Sequence, residues 1–242
     1  MRLLRHIAPL LALAAALPRP AAAQDVWPSR RETVAGAALI GGALLLDRTV
    51  ASGIPDGGGE RWKGVSDIAN YGGRPQWSAA LLGATWGVAR VAGNRPLADA
   101  AVHVGAGLAA GGVANGLLKF GTGRTRPSRT DDPFRFHALS SGNNRQSFPS
   151  GHAVVAFSLA SAVSEEARRP WVTVPAYTAA AVVGWSRVYD DKHWTSDAVA
   201  GALVGAAAGR GTVRLLHRRG AGRATVALTP SAIAVHLPIR IP

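Results

Sequence analysis

Long Ala-rich apolar blocks alternate along this chain with short polar breaks. Val34 to Leu46 is an apolar run closed by Asp47-Arg48, and Ile54-Pro55-Asp56-Gly57-Gly58-Gly59 reads as a loop. Glu60 to Tyr71 has the pattern of a short amphipathic helix, broken at Gly72-Gly73-Arg74-Pro75. Trp77 to Val91 predicts a second apolar helix, Asn94-Arg95-Pro96 a break, and Leu97 to about Leu118 a third helix. From Lys119 to Phe148 no period holds, and a loop of that length inside a compact domain is expected to be functional or disordered. Helices are then predicted from Ser150-Gly151-His152 to about Arg168, from about Trp171 to Trp185, and from near Thr195 to about His217. Pro175 lies in the first turns of the second of these, where proline is tolerated.

The ends of the chain differ from its middle. Residues 1–23 read as a secretory signal: Arg2, Arg5 and His6, an apolar run from Ile7 to Leu17, then Ala21-Ala22-Ala23 before Gln24. At the other end Val226 and Leu228 alternate with small residues, Thr229-Pro230-Ser231 reads as a turn, and Ile233, Val235, Leu237, Ile239 and Ile241 alternate again, the pattern of a small β-hairpin. The expected division is a signal peptide at 1–23, an N-terminal helical segment with loops at 24–76, a core domain at 77–218 and a tail at 219–242. The fold class is all-α, a helical bundle with a hairpin-like tail.

Composition narrows the function classes. The formal charge is +13, which suits an anionic partner such as anionic lipid or a phosphorylated substrate. No basic stripe interleaved with aromatics is present, so nucleic acid is not expected as a partner. There is no cysteine, hence no disulfide and no thiolate metal site.

Three polar clusters fall at predicted helix ends. The first is Lys119 with Arg124, Arg126 and Pro127; the second is Pro149-Ser150-Gly151-His152; the third is Ser186-Arg187 followed by His193 and Asp197. A tight turn at Arg169-Pro170 would make the two central helices antiparallel and bring residues 150 and 186 to one end, and Lys119 joins them if its helix runs opposite to the next. Lys119, Arg126 and Arg187 would then neutralise phosphate oxygens, Gly151 would allow close backbone approach, and unpaired N–H groups at a helix start would bind the anion. Ser150 adds a hydroxyl. His193 and Asp197 are four apart and share a face if the chain is helical there, so the carboxylate would orient the imidazole. Two histidines fit a nucleophile and a general acid. Arg124 is read as facing solvent, Asp190-Asp191-Lys192 as a solvated turn, His103 as a packed helix residue and His137 as a loop residue.

Lys119-x6-Arg126-Pro127, Pro149-Ser150-Gly151-His152 and Ser186-Arg187-x5-His193-x3-Asp197 together resemble the three-part signature of the type 2 phosphatidic acid phosphatase and vanadium haloperoxidase superfamily, over about residues 77–210. The resemblance implies metal-independent phosphoester hydrolysis without a cofactor, through a phosphohistidine. On it, His193 is the nucleophile, Asp197 its orienting partner and His152 the acid, with Lys119, Arg126, Ser150, Gly151 and Arg187 holding phosphate. Vanadate is implied as an inhibitor. The expected substrate is a phosphomonoester or a lipid phosphate or diphosphate, with phosphotransfer to an acceptor alcohol also open. The alternatives are a vanadate-dependent haloperoxidase, in which vanadate is the cofactor, and a non-catalytic envelope protein with a relic pocket.

The same superfamily has membrane and exported soluble branches. The apolar runs at 34–46, 77–89 and 171–185 fall short of the ~20 residues a span needs, and Asp99, His103 and Asn115 interrupt the longest candidate. If 34–46, 77–91 and 97–118 all crossed, the 119–148 loop would lie on the cytoplasmic side. The expectation is an exported periplasmic or envelope domain, soluble or peripheral to a membrane surface, with an integral form as the alternative.

Overall fold

The computed structural model describes residues 26–54 and 59–218, and the backbone of 225–229 and 232–236. The signal segment 1–23 lies outside the described residues, as do Leu237, Ile239 and Ile241 of the alternating tail. Seven helices are described: α1 (Arg30–Ser52), α2 (Lys63–Gly72), α3 (Pro75–Val91), α4 (Arg95–Thr122), α5 (Gly151–Ala167), α6 (Pro170–Tyr189) and α7 (Thr195–Arg218). Two strands follow, β1 (Thr225–Thr229) and β2 (Ala232–His236), paired antiparallel with Val226 opposite Val235.

The helix starts follow local chemistry. Pro75 and Pro170 open α3 and α6, where the missing N–H costs nothing, and the Asn94 side chain caps α4 by accepting from Leu97 N at 3.1 Å. α1 begins four residues before the apolar run because Ser29 and Glu32 form a reciprocal capping box. α5 ends at Ala167, Arg168 takes a left-handed conformation, and α6 starts at Pro170, so the expected tight reversal is present.

α5 is the central helix, packed against α7, α6 and α4, while α1 lies along α7 and α2 along α6. Small residues permit this. On α7, Gly201, Gly205 and Gly209 lie four apart and face α5; a Cβ on Gly201 would sit 2.6 Å from Ser150 O, so only glycine lets the two backbones approach. The interior is built of small side chains, among them Ala69, Ala156, Ala160, Ala180 and Val183 in one cluster and Val104, Ala162 and Val213 in another.

Many large apolar side chains face outward instead: Leu39, Leu45 and Leu46 on α1, Leu81 and Val88 on α3, Val113 and Leu117 on α4, Trp171 and Val174 on α6. α1, α4 and α7 are 23, 28 and 24 residues long, and each is long and apolar enough to cross a membrane. This corrects the expectation for the 34–46 run, because α1 continues past both its ends; α3 and α6, which hold the 77–89 and 171–185 runs, are not among these three helices. Nor do two of the three polar interruptions of α4, His103 and Asn115, bar a span. His103 is buried against Glu166, and Asn115 lies against Gly151 of α5, so both face protein.

Candidate active site

The three clusters meet at one end of the bundle. Lys119 comes from the last turn of α4, Arg126 from the loop after it, Ser150, Gly151 and His152 from the start of α5, Arg187 from the last turn of α6, and Asp197 from the first turn of α7. His193 lies in the connection before α7.

His193 is buried, and its Nδ1 lies 2.8 Å from the carbonyl oxygen of Ser147. The Asp197 carboxylate is 3.7 Å from that nitrogen, too far for a good hydrogen bond. The expected direct Asp–His bond is therefore corrected: His193 precedes the helix, so the i,i+4 geometry does not apply. Ser147 stands between them, its carbonyl accepting from the ring and its hydroxyl donating to Asp197 Oδ2. With the proton held on Nδ1, Nε2 carries the lone pair, facing Arg126 Nη1 at 3.2 Å. Burial, reinforced by the Lys119 and Arg126 charges and opposed by Asp197, pushes the imidazole down to about 3, so the ring is neutral at ordinary pH.

The cations are anchored around this ring. Arg126 donates from Nε to Asn143 O at 3.1 Å and from Nη1 to Lys192 O at 2.8 Å. Lys119 Nζ donates to Gln146 O, and Arg187 Nη1 to Asn70 Oδ1 on α2. Arg187 Nε and Ser150 Oγ are among the buried polar atoms with no protein partner. Ser150 occupies the N-cap position of α5, yet its side chain makes no cap bond, so the hydroxyl is not used in holding the helix. Burial first, then the charges of Arg187, Arg74, Arg126 and Lys119, lowers the His152 imidazole to about 4. Gly73 lies against this ring, where a Cβ would come within 2.5 Å of it. Chemically, the arrangement can bind a tetrahedral oxyanion and present an unprotonated nitrogen to it.

Two expectations about neighbouring residues are overturned. Arg124 is not at the surface: it is completely buried, with Nη1 at 2.6 Å from both Asp197 Oδ1 and Ser196 Oγ, Nη2 at 2.7 Å from Asp47 Oδ2, and Nε at 2.9 Å from Pro133 O. Phe136 and Trp194 cover the guanidinium at 5.4 and 5.5 Å. Asp47, on α1, also accepts from Ser196 N at 2.8 Å and Ser196 Oγ at 2.6 Å. Asp190 is likewise held, by Ser66 Oγ at 2.6 Å and Asn70 Nδ2 at 2.8 Å, which ties α2 to the end of α6 rather than leaving a solvated turn. Ser147, Asp47 and Gly73 were not singled out from the sequence, and nothing in their local spacing marks them.

A helical bundle that gathers Lys119, Arg126 and Arg187 around two neutral histidines at one end has the chemistry to bind phosphate-like anions. The family model described as the PAP2 superfamily matches residues 100–221, half of the chain, and the chain belongs to that superfamily. A lipid A 1-phosphatase of Porphyromonas gingivalis is 37% identical over 97 residues, covering 39% of this chain and 19% of that protein's length. Among solved structures, a transmembrane PAP2-type phosphatidylglycerolphosphate phosphatase from Bacillus subtilis matches with a TM-score of 0.50 and 19% identity, over 86% of this chain and 93% of its own. That likeness carries the fold.

Proposed function

We propose that the chain is a membrane-associated phosphatase of the cell envelope that hydrolyses lipid phosphates or diphosphates through a phosphohistidine. The observation that carries the reading is a buried, neutral His193 whose Nε2 faces Arg126, with the Lys119 charge acting on the same ring and Lys119, Arg126 and Arg187 acting on His152. The kinds of relative found and the outward-facing apolar surfaces of α1 and α4 support a lipid substrate.

In this scheme the phosphate oxygens lie among the three cations, the Ser150 hydroxyl and the backbone N–H groups opening α5. Nε2 of His193 donates its lone pair to phosphorus as the bond to the leaving oxygen breaks. His152 gives that oxygen a proton, and the neutral imidazole left behind takes a proton from the water that attacks the phosphohistidine, returning phosphate and free His193. The cations stabilise charge that spreads over the equatorial oxygens, and losing one such donor costs about 3–4 kcal/mol of barrier. Asp197, reached through Ser147, balances the positive charge on the phosphorylated ring.

The reading is tested by phosphate release from the full chain in detergent, with phosphatidate, a polyprenyl diphosphate, lipid A, an aryl phosphate and a nucleotide as substrates. Turnover of the lipids is expected; turnover of the water-soluble esters alone would point to a soluble-substrate phosphatase, and release from none of them would sink the proposal in favour of a haloperoxidase or a relic pocket.

His152→Ala is expected to lower turnover of alkyl and lipid phosphates by about 10²–10⁴-fold, the range of general acid catalysis, while sparing an aryl phosphate whose leaving group needs no proton. The pH dependence follows from the lowered imidazole. In the free enzyme the acid form of His152 is lost as pH rises through about 4, so kcat/KM for alkyl esters should fall more steeply with rising pH than for aryl esters. That difference should vanish in the variant, and equal losses on both ester classes would remove His152 from the acid role. The scheme uses no metal, so activity should persist in excess chelator; loss on chelation with recovery on adding a divalent ion would contradict it.

A further inference from the structure

At the opposite end of the bundle lies a second cluster that the phosphatase reading does not use. His103 precedes Lys119 by sixteen residues on α4, about 24 Å along the helix axis at 1.5 Å per residue. Glu166 lies in the last turn of α5, and His217 in the last turn of α7. His103 Nδ1 lies 2.8 Å from Glu166 Oε1, and His217 Nε2 lies 3.1 Å from the same oxygen. One ligand atom from each of the three residues falls within 4.8 Å of the others.

We propose that His103, Glu166 and His217 form a binding site for a divalent transition metal, Zn²⁺ by ligand chemistry, that fastens the ends of α4, α5 and α7. Two imidazoles and one carboxylate are a donor set that suits zinc, with a fourth position left for water. Tetrahedral coordination at 2.0–2.1 Å places ligand atoms ~3.3 Å apart, so Glu166 Oε1 needs to draw back from each imidazole nitrogen by only a few tenths of an ångström to admit the ion.

Three further observations suit an ion at this point. Glu166 Oε1 faces two imidazole nitrogens, at 2.8 and 3.1 Å. Nε2 of His103 is buried with no partner, so no second hydrogen bond fixes the tautomer, and the form that turns the Nδ1 lone pair to a metal is open to it. The rings meet edge to face, 5.2 Å between centroids at 75°, which lets both point nitrogens at one place. The His217 side chain is 33% exposed and gives water and metal a way in, while His103 is sealed inside.

The site stands independently of the phosphatase reading and is tested without it. The full chain in detergent is stripped with chelator, then titrated with Co²⁺ and displaced by Zn²⁺. The expected result is one equivalent of Co²⁺ with the intense visible absorption of four-coordinate cobalt, displaced by Zn²⁺, and a Tm that rises with Zn²⁺. His217→Ala and Glu166→Gln should each weaken binding by at least about tenfold and abolish the Tm response, with phosphate release in His217→Ala unchanged. Two results would overturn the site: no uptake at about 100 μM Zn²⁺, or uptake that neither variant changes, which would place the metal on other histidines.

Discussion

His193→Ala is expected to abolish turnover, by at least about 10⁴-fold in kcat, and to leave no phosphoenzyme on rapid acid-free quenching with a radiolabelled substrate. Truncation removes the nitrogen that faces Arg126 at 3.2 Å with a lone pair available. Water cannot substitute well, because the pocket is arranged to orient a fixed nucleophile and gives up most of its advantage when attack must come from a mobile molecule. The ring's lowered pKa, about 3, means that protonation does not compete for Nε2 across the working pH range, so the wild-type rate should show no acid limb from this residue above about pH 4. Binding should survive the substitution. Lys119, Arg126 and Arg187 remain, and inorganic phosphate or vanadate should still protect the pocket. A variant that keeps a trapped phosphoenzyme, or more than about one per cent of turnover, would remove His193 from the nucleophilic role.

Much of the site was legible in the sequence because its residues sit where polar groups are conspicuous. Lys119, Ser150-Gly151-His152 and Arg187 all fall at helix ends, the first two beside Gly or Pro, and the helices between them follow from apolar blocks long enough to read. The fold class followed from the same blocks. What was misread depended on distance. An arginine between Gly123 and Arg126-Pro127 in a polar loop has the local signature of a surface residue, and only partners 73 and 77 positions away make Arg124 an interior one. Ser147 enters through its carbonyl, which no side-chain pattern records. Helix length was underestimated for a different reason. Counting unbroken apolar residues stops at Asp47, but the Asp47 carboxylate turns inward to Arg124 and Ser196, so the helix continues to Ser52. The Ser29–Glu32 capping box was a readable signal for its true start.

The buried guanidinium leads to the second large effect. Arg124→Ala should destabilise the chain by about 3–5 kcal/mol, the usual consequence of removing one member of a buried ion pair, because it strands the Asp47 and Asp197 carboxylates with no exposed surface. The expected readout is a large fall in Tm and in the yield of folded protein. Arg124→Lys is the more informative substitution. One ammonium cannot reproduce a fork that reaches Asp197, Ser196, Asp47 and Pro133 together, so folding should be retained with Asp197 less firmly placed. Asp197 in turn holds Ser147, whose carbonyl fixes the His193 ring. A positioning role therefore predicts that Arg124→Lys, and more mildly Asp47→Asn, lower kcat by about 10–100-fold with little change in KM, since neither touches the phosphate ligands. A purely structural role predicts the opposite split: a lower Tm, with kcat intact at temperatures where the variant is folded. Measuring both on Asp47→Asn, the gentler change, decides whether α1, which lies outside the matched residues 100–221, belongs to the working site or only braces it.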